Sequence, residues 1–358
     1  MNRATTIRTL ISAVVALGIT TAGVCGQDSS LQRIDQYLEE KQQSDDFSGN
    51  VLIAKGGEVM YVRSFGLADR DHGVANKPET RFNVGSIGKL FTSIAILQLA
   101  QAGSLELTDP IGKYLPEFPE DKKAITIHQL LLHTSGLSSY MTNSDYSERK
   151  QTYRSIDDVL VLVRDEVLLF APGEGNEYSN SGYIVLGAII ERVSGREYSA
   201  YVHENVWQPA GMSNTGLYYR EDVVPNRATG YIRVDSGTVI SNVFEEPPAF
   251  SDGGAYSTVG DMLRFVLALQ DDTLLNEEFR KLWLTPQVGP MTYGPATASA
   301  ERSFSGKAVW GGMGGAPGVS AALHHVTGDE YTIIVLSNQD MVALRMPIDI
   351  EAILYGKR

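Results

Sequence analysis

The sequence holds one cysteine, Cys25, in 358 residues. A lone thiol forms no intramolecular disulfide, and no Cys-x-x-Cys spacing exists for a redox couple or a thiolate metal site. Positive charge is also scarce, with 30 Lys and Arg against 43 Asp and Glu and a formal net charge of −13. Such a surface repels a phosphate backbone, so nucleic acid is not an expected partner. Six histidines provide no His-Glu-x-x-His or other dense ligand cluster, and the adjacent pair His324-His325 would face opposite sides of a strand. Neither a metal nor a cofactor is expected. The longest apolar stretch, Leu10 to Val24, is short for a membrane span. It follows Arg3 and Arg8 and precedes Gln27-Asp28-Ser29-Ser30, the order of a secretory leader. A leader over residues 1–26, cut after Gly26, would leave a thiol-free domain over residues 27–358, exported to the periplasm or the exterior and without a membrane span. Losing Arg3 and Arg8 would take its formal charge from −13 to −15. An uncleaved anchor is the alternative, and lipidation at Cys25 is disfavoured by Val24 directly before it.

What remains is ordinary for a folded chain, 43% hydrophobic and 20% charged. Leu31 to Lys41 reads as an amphipathic helix, and Val51–Ala54 and Val59–Val62 read as strands joined at Gly56-Gly57. Helical spacing runs from Ser86 to Gly103. Thr126-Ile-His-Gln129 fits a capping box, Tyr183 to Val193 reads as an apolar helix ended by Gly195, and Met262 to Leu269 as another. Strands return at Val319–His325 and Tyr331–Ser337 across Thr327-Gly328-Asp329, and Ile348–Leu354 closes the chain as a helix. The fold class is therefore α/β (α+β): one antiparallel sheet from N- and C-terminal segments, flanked by helices, with a mainly helical region of about residues 104–300 inserted.

Two clusters carry chemistry. In Ser86-Ile-Gly-Lys89 a hydroxyl and an ammonium stand three residues apart at a helix start, on one face, where the helix dipole favours an alkoxide. As a bland alternative, Ser86 caps the helix and Lys89 lies on the surface. Ser147-Glu-Arg-Lys150 has the same spacing, but its polar surroundings read as a solvated loop. Tyr178-Ser-Asn180 puts a phenol and an amide on one loop, able to relay a proton and hold a carbonyl. Its bland alternative is a packed loop tyrosine beside a turn asparagine.

These clusters occur in a fixed order with Phe82-Asn-Val-Gly-Ser86-Ile-Gly-Lys89, Leu131-Leu-His133-Thr-Ser-Gly136-Leu, Pro172-Gly, Gly253-Gly254-Ala-Tyr-Ser-Thr258 and Gly314-Gly-Ala-Pro-Gly318. The ensemble resembles the serine β-lactamase and penicillin-recognising family, in its class C β-lactamase, DD-peptidase and esterase branch. The resemblance implies Ser86 as nucleophile, Lys89 as its hydrogen-bonded activator and Tyr178 as acid/base. It further implies Asn180, Gly314 and Gly315 against the substrate, an oxyanion hole from the backbone N–H groups of Ser86 and Gly315, and a structural role for His133. One position departs: the family's Lys or His two residues before Gly314 is Gly312 here. Trp310 would fill that place if the register slipped, and an arginine from elsewhere is another substitute. A Gly-x-Ser-x-Gly elbow fails at Val84, and a phosphate loop fails at Asn83 and Leu90. The expected function is hydrolysis of a small-molecule or peptide-like ester or amide through an acyl-enzyme. The alternatives are D-Ala-D-Ala carboxypeptidase or β-lactamase activity, and a non-catalytic binder. Nothing in the sequence sets the oligomeric state.

Overall fold

The computed structural model describes residues 22–358 apart from Ser236 and Ser299. In chain order the strands are β1 (Gly49–Lys55), β2 (Glu58–Phe65), β3 (Leu67–Asp69), β4 (Val74–Ala75), β5 (Phe82–Asn83), β6 (Tyr231–Val234), β7 (Thr238–Ser241), β8 (Tyr256–Ser257), β9 (Ala296–Ala298), β10 (Val309–Ala316), β11 (Val319–Val326) and β12 (Tyr331–Ser337). The helices are α1 (Ala22–Gln43), α2 (Gly88–Gln101), α3 (Glu120–Lys123), α4 (Ile127–Leu131), α5 (Ser144–Arg149), α6 (Ile156–Asp165), α7 (Asn180–Ser194), α8 (Tyr198–Val202), α9 (Val259–Gln270), α10 (Glu277–Leu284) and α11 (Met346–Leu354).

The main sheet is antiparallel in the order β2-β1-β12-β11-β10-β9, so the first and last strands of the chain lie side by side. Gly49 opposes Ser337 and Lys55 opposes Tyr331. Both faces of this sheet are covered. Val51, Ile53, Ile333 and Val335 pack against α1 and α11, while Leu52, Ala54, Ile334 and Leu336 join the larger core under the helical region. Alternate residues on a strand point to opposite faces, so two buried faces require the near-continuous apolar runs found in β1 and β12.

The expected capping box is present, with Thr126 Oγ1 accepting from Gln129 N–H and the Gln129 side chain accepting from Thr126 N–H. Gly195 ends α7 in the left-handed conformation. Several expectations change. The α1 helix begins at Ala22, nine residues before Leu31, so Ala22–Gly26 of the expected leader are helical, and the rest of that leader lies outside the described residues. Helix α2 is covered on every side, with Lys89 to Leu97 all buried, so Lys89 is not the surface lysine of the bland alternative. Ser147 lies on α5 instead of a loop, exposed, and Lys150 pairs with Glu245. No described helix is long and apolar enough to cross a membrane.

Candidate active site

Ser86 sits in the 3₁₀ turn Gly85–Ile87 between β5 and α2, and it does not cap the helix: Ile87 takes that position with no side-chain capping bond. Its hydroxyl is thus free of the bland capping role. The turn is pinned by its neighbours. Val84 N–H donates to Ala255 O, Gly85 N–H to Asn83 Oδ1, and Gly254 N–H to Gly85 O. Strand β10 presses on the same turn so closely that a Cβ at Gly314 would lie 1.9 Å from Val84 O and 2.9 Å from Ser86 N. Only glycine allows that approach, and it places the Gly314-Gly315 backbone beside the Ser86 amide.

Lys89, one turn further along α2 and 4% exposed, donates to three acceptors: Ser86 Oγ at 3.3 Å, Asn180 Oδ1 at 2.7 Å and Asp252 O at 2.5 Å. Three donors meeting three acceptors fix a positive charge beside the serine oxygen. Thr92, on the next turn, donates to Ser251 O, so α2 grips the 251–252 backbone twice. The Asp252 carboxyl accepts from Tyr140 Oη at 3.1 Å. Burial raises its pKa, an effect the Lys89 charge partly offsets.

Asn180 is the first residue of α7 and not part of the preceding loop, because Ser179 caps that helix by accepting from Gly182 N–H. Its Oδ1 is taken by Lys89 and its Nδ2 donates to Ser139 Oγ at 3.0 Å. Tyr178 is 49% exposed, with its ring centroid 4.9 Å from Lys89 Nζ. Among the described residues its hydroxyl bonds to neither Ser86 nor Lys89. The structure therefore brings Ser86, Lys89, Asn180, Gly314 and Gly315 together and places the Tyr178 ring over Lys89, on a cavity lining it shares with Ser86.

His133 packs its ring 4.7 Å from Tyr178 and 5.3 Å from Tyr183, and its Nδ1 accepts from Ser179 N–H at 3.1 Å. It joins the expected motif to the segment that carries Tyr178. Burial, then the Lys89 charge, push its pKa down to about 4. Because the folded value lies below the ordinary one near 6.5, the neutral ring contributes stability above about pH 6.5 that is lost as pH falls toward 4. His133→Asn keeps an acceptor near the Nδ1 position and tolerates the positive φ of 59°. The stability difference between wild type and His133→Asn, from urea unfolding, is expected to move against the wild type by about 1–2 kcal/mol between neutral and mildly acid pH. A difference that moves the other way would show the ring charged in the folded protein.

Sequence reasoning missed Asp252, Tyr140, Ser139 and Met141. Asp252 directly precedes the Gly253-Gly254 motif, which was the available signal; Tyr140 and Met141 carried none. A cleft of about 250 Å³ opens at Ser86 between Asn180, Met141, Pro247, Pro248 and Gly315. A second cavity of about 700 Å³ meets it on the Tyr178 side. Among the described residues, no lysine or arginine side chain lines either one. Arg154, Arg220 and Arg227 line an adjoining recess that shares Asn83, Pro247, Pro248 and Gly254 with the cleft. Trp310 is buried edge-on against Trp283 and lines neither cavity, so it does not replace the cation missing at Gly312. His324 contacts Glu351 while His325 contacts Thr332, and no described group of three or more acidic, His or Cys residues is arranged to hold a metal.

The profile of the family described as Beta-lactamase matches residues 34–355. A putative penicillin-binding protein, PbpX of Bacillus subtilis (strain 168), is 34% identical over 282 residues, covering 79% of this chain and 68% of its own. Penicillin-binding protein 4* of the same organism is 31% identical over 328 residues, covering 87% and 71%. The crystal structure of a penicillin binding protein from Bacillus halodurans superposes with TM-score 0.78 at 32% identity, covering 88% of this chain and 98% of that one. With the serine-lysine turn, the glycine-backed strand and the matched span agreeing, this chain belongs to the beta-lactamase family.

Proposed function

We propose that this protein is an exported serine hydrolase that cleaves a small ester or amide lacking a free carboxylate, through an acyl-enzyme on Ser86. The observation that carries the reading is Ser86 Oγ held 3.3 Å from a buried Lys89 that is itself fixed by two further acceptors, in a cleft open to solvent. Tyr178, acting as the phenolate, takes the Ser86 proton as the Ser86 oxygen attacks the substrate carbonyl and forms a C–O bond, while the Lys89 charge favours both anions. The oxyanion collects the N–H groups of Ser86 and Gly315, each such donor contributing about 3 kcal/mol. The bond to the leaving alcohol or amine breaks, and Tyr178 delivers the proton that came from Ser86. Water then hydrolyses the acyl-enzyme, with Tyr178 acting in reverse. Catalytic hydrogen bonds are often long or unmade before substrate binds, which accommodates the unbonded Tyr178 hydroxyl. Export rests on the order of charge and apolar residues from Arg3 to Ser30. The mass of the secreted form tests it.

The second reading, D-Ala-D-Ala carboxypeptidase or β-lactamase activity, draws on relatives named penicillin-binding proteins at 31–34% identity. The missing cation counts against it, since a substrate carboxylate would enter clefts lined by no positive side chain. A Cβ at Gly312 would lie 3.2 Å from Leu90 Cδ1 and 3.6 Å from Ile87 Cγ1, so a side chain fits there once one flexible leucine yields. Gly312→Lys is expected to raise the preference for a carboxylate-bearing peptide over its neutral amide about tenfold in kcat/KM. An unchanged preference would show that residue 312 does not face the bound substrate.

The discriminating experiment is intact-mass analysis after exposure to a fluorophosphonate, a short p-nitrophenyl ester and a penicillin, each set against Ser86→Ala. Ser86-dependent adducts with the first two and not the third support the first reading, and a stable penicillin adduct supports the second. Absence of every adduct supports a non-catalytic binder.

A further inference from the structure

Ser86 lies at the junction of two cavities whose linings differ. The 250 Å³ cleft is walled by Asn180, Met141 and two prolines, and it is small. The 700 Å³ cavity shares Ser86 and Gly315 with it and then spreads over Ile232, Met313, Met341 and Leu344. These four side chains come from three separate segments: β6, β10 and the connection after β12. Met313 is 56% exposed and Met341 66% exposed, although nothing in the core needs them there. Thioethers are unbranched and adaptable, suited to apolar groups of varying shape. Met341 adopts a positive φ of 57°, uncommon for a residue that is neither glycine nor Asn/Asp. Its sulfur lies 3.6 Å from where a Cβ on Gly315 would be, so it stands directly beside the expected oxyanion strand. Asp340 is the one charged side chain on this lining, and its carboxylate accepts from Gly318 N–H at 2.5 Å.

Tyr178 lines the larger cavity and Asn180 the smaller one. The group that returns the proton must reach the leaving atom, so the Tyr178 side receives the leaving group and the Asn180 side the acyl group. We propose that the Ile232-Met313-Met341-Leu344 groove is a leaving-group subsite for an uncharged alkyl or aryl alcohol or amine, while the acyl portion is limited in size by the 250 Å³ cleft. This rests on the serine hydrolase reading above.

The test uses the full chain and two ester series. One keeps a short acyl group and lengthens a linear alcohol from ethyl to hexyl, over which the acidity of the alcohol hardly changes; the other keeps ethanol and lengthens the acyl chain. The alcohol series is expected to gain about twofold to fourfold in kcat/KM per methylene until the groove is filled, and the acyl series to plateau early or fall. Met341→Asn, a residue suited to positive φ, is expected to cut the hexyl-to-ethyl ratio at least fivefold, and Val223→Asn, 99% exposed and outside both cavities, to leave it unchanged. A flat alcohol series from a protein that still forms the Ser86 fluorophosphonate adduct overturns the subsite and leaves the hydrolase reading standing. A rise with acyl length instead reverses the two cavities and overturns it too. A ratio that changes with protein concentration, with a dimer in light scattering, assigns the groove to a second copy. No adduct and no turnover remove the hydrolase reading and the subsite with it.

Discussion

Ser86→Ala is expected to lower kcat on any ester the protein turns over by at least about 10⁴-fold, with loss of the fluorophosphonate adduct. The fold should survive, because the Ser86 side chain is partly exposed, caps no helix, and makes its one hydrogen bond with Lys89. Lys89 keeps Asn180 Oδ1 and Asp252 O as acceptors, so the stability change should stay within about 1 kcal/mol. Rates measured with matched thermal unfolding separate lost chemistry from lost structure. Turnover within tenfold of wild type in a folded variant would remove Ser86 as the nucleophile.

Lys89→Met is expected to cost about 10³-fold in kcat and also to destabilise the protein, which distinguishes it from the serine variant. Methionine fills a similar volume at this 4%-exposed site but removes the positive charge beside Ser86 Oγ. It also strips Asn180 Oδ1 and Asp252 O of their donor, and unpaired buried acceptors cost about 1–3 kcal/mol each. Denaturant midpoints and single-turnover acylation rates check the two effects independently. A variant that acylates at the wild-type rate would show that the charge is structural only.

The elements most legible in the sequence were those with short-range causes. The capping box at Thr126, the left-handed stop at Gly195 and the paired runs of β11 and β12 depend on residues within a few positions of one another. The Ser86 to Lys89 contact was legible for the same reason, since one helical turn sets it. That helix α2 is covered on every side was not legible, because the elements that cover it, α7, α8 and α10 among them, are remote in sequence. Asn180 was placed on a loop because the Ser179 cap leaves the same residue types on either side of the boundary.

By itself the sequence determined the family motifs in their order, the exclusion of an intramolecular disulfide, and the pairing of a serine with a lysine one turn later. Tertiary structure alone decided the surroundings of that pair. It showed that Lys89 is held by the Asp252 backbone as well as by Asn180, that Trp310 is core, that no described lysine or arginine lines the two cavities at Ser86, and that a methionine-lined groove meets Ser86 from the Tyr178 side. Each of these depends on segments separated by tens to hundreds of residues, and the packing of one segment on another leaves no local trace in either.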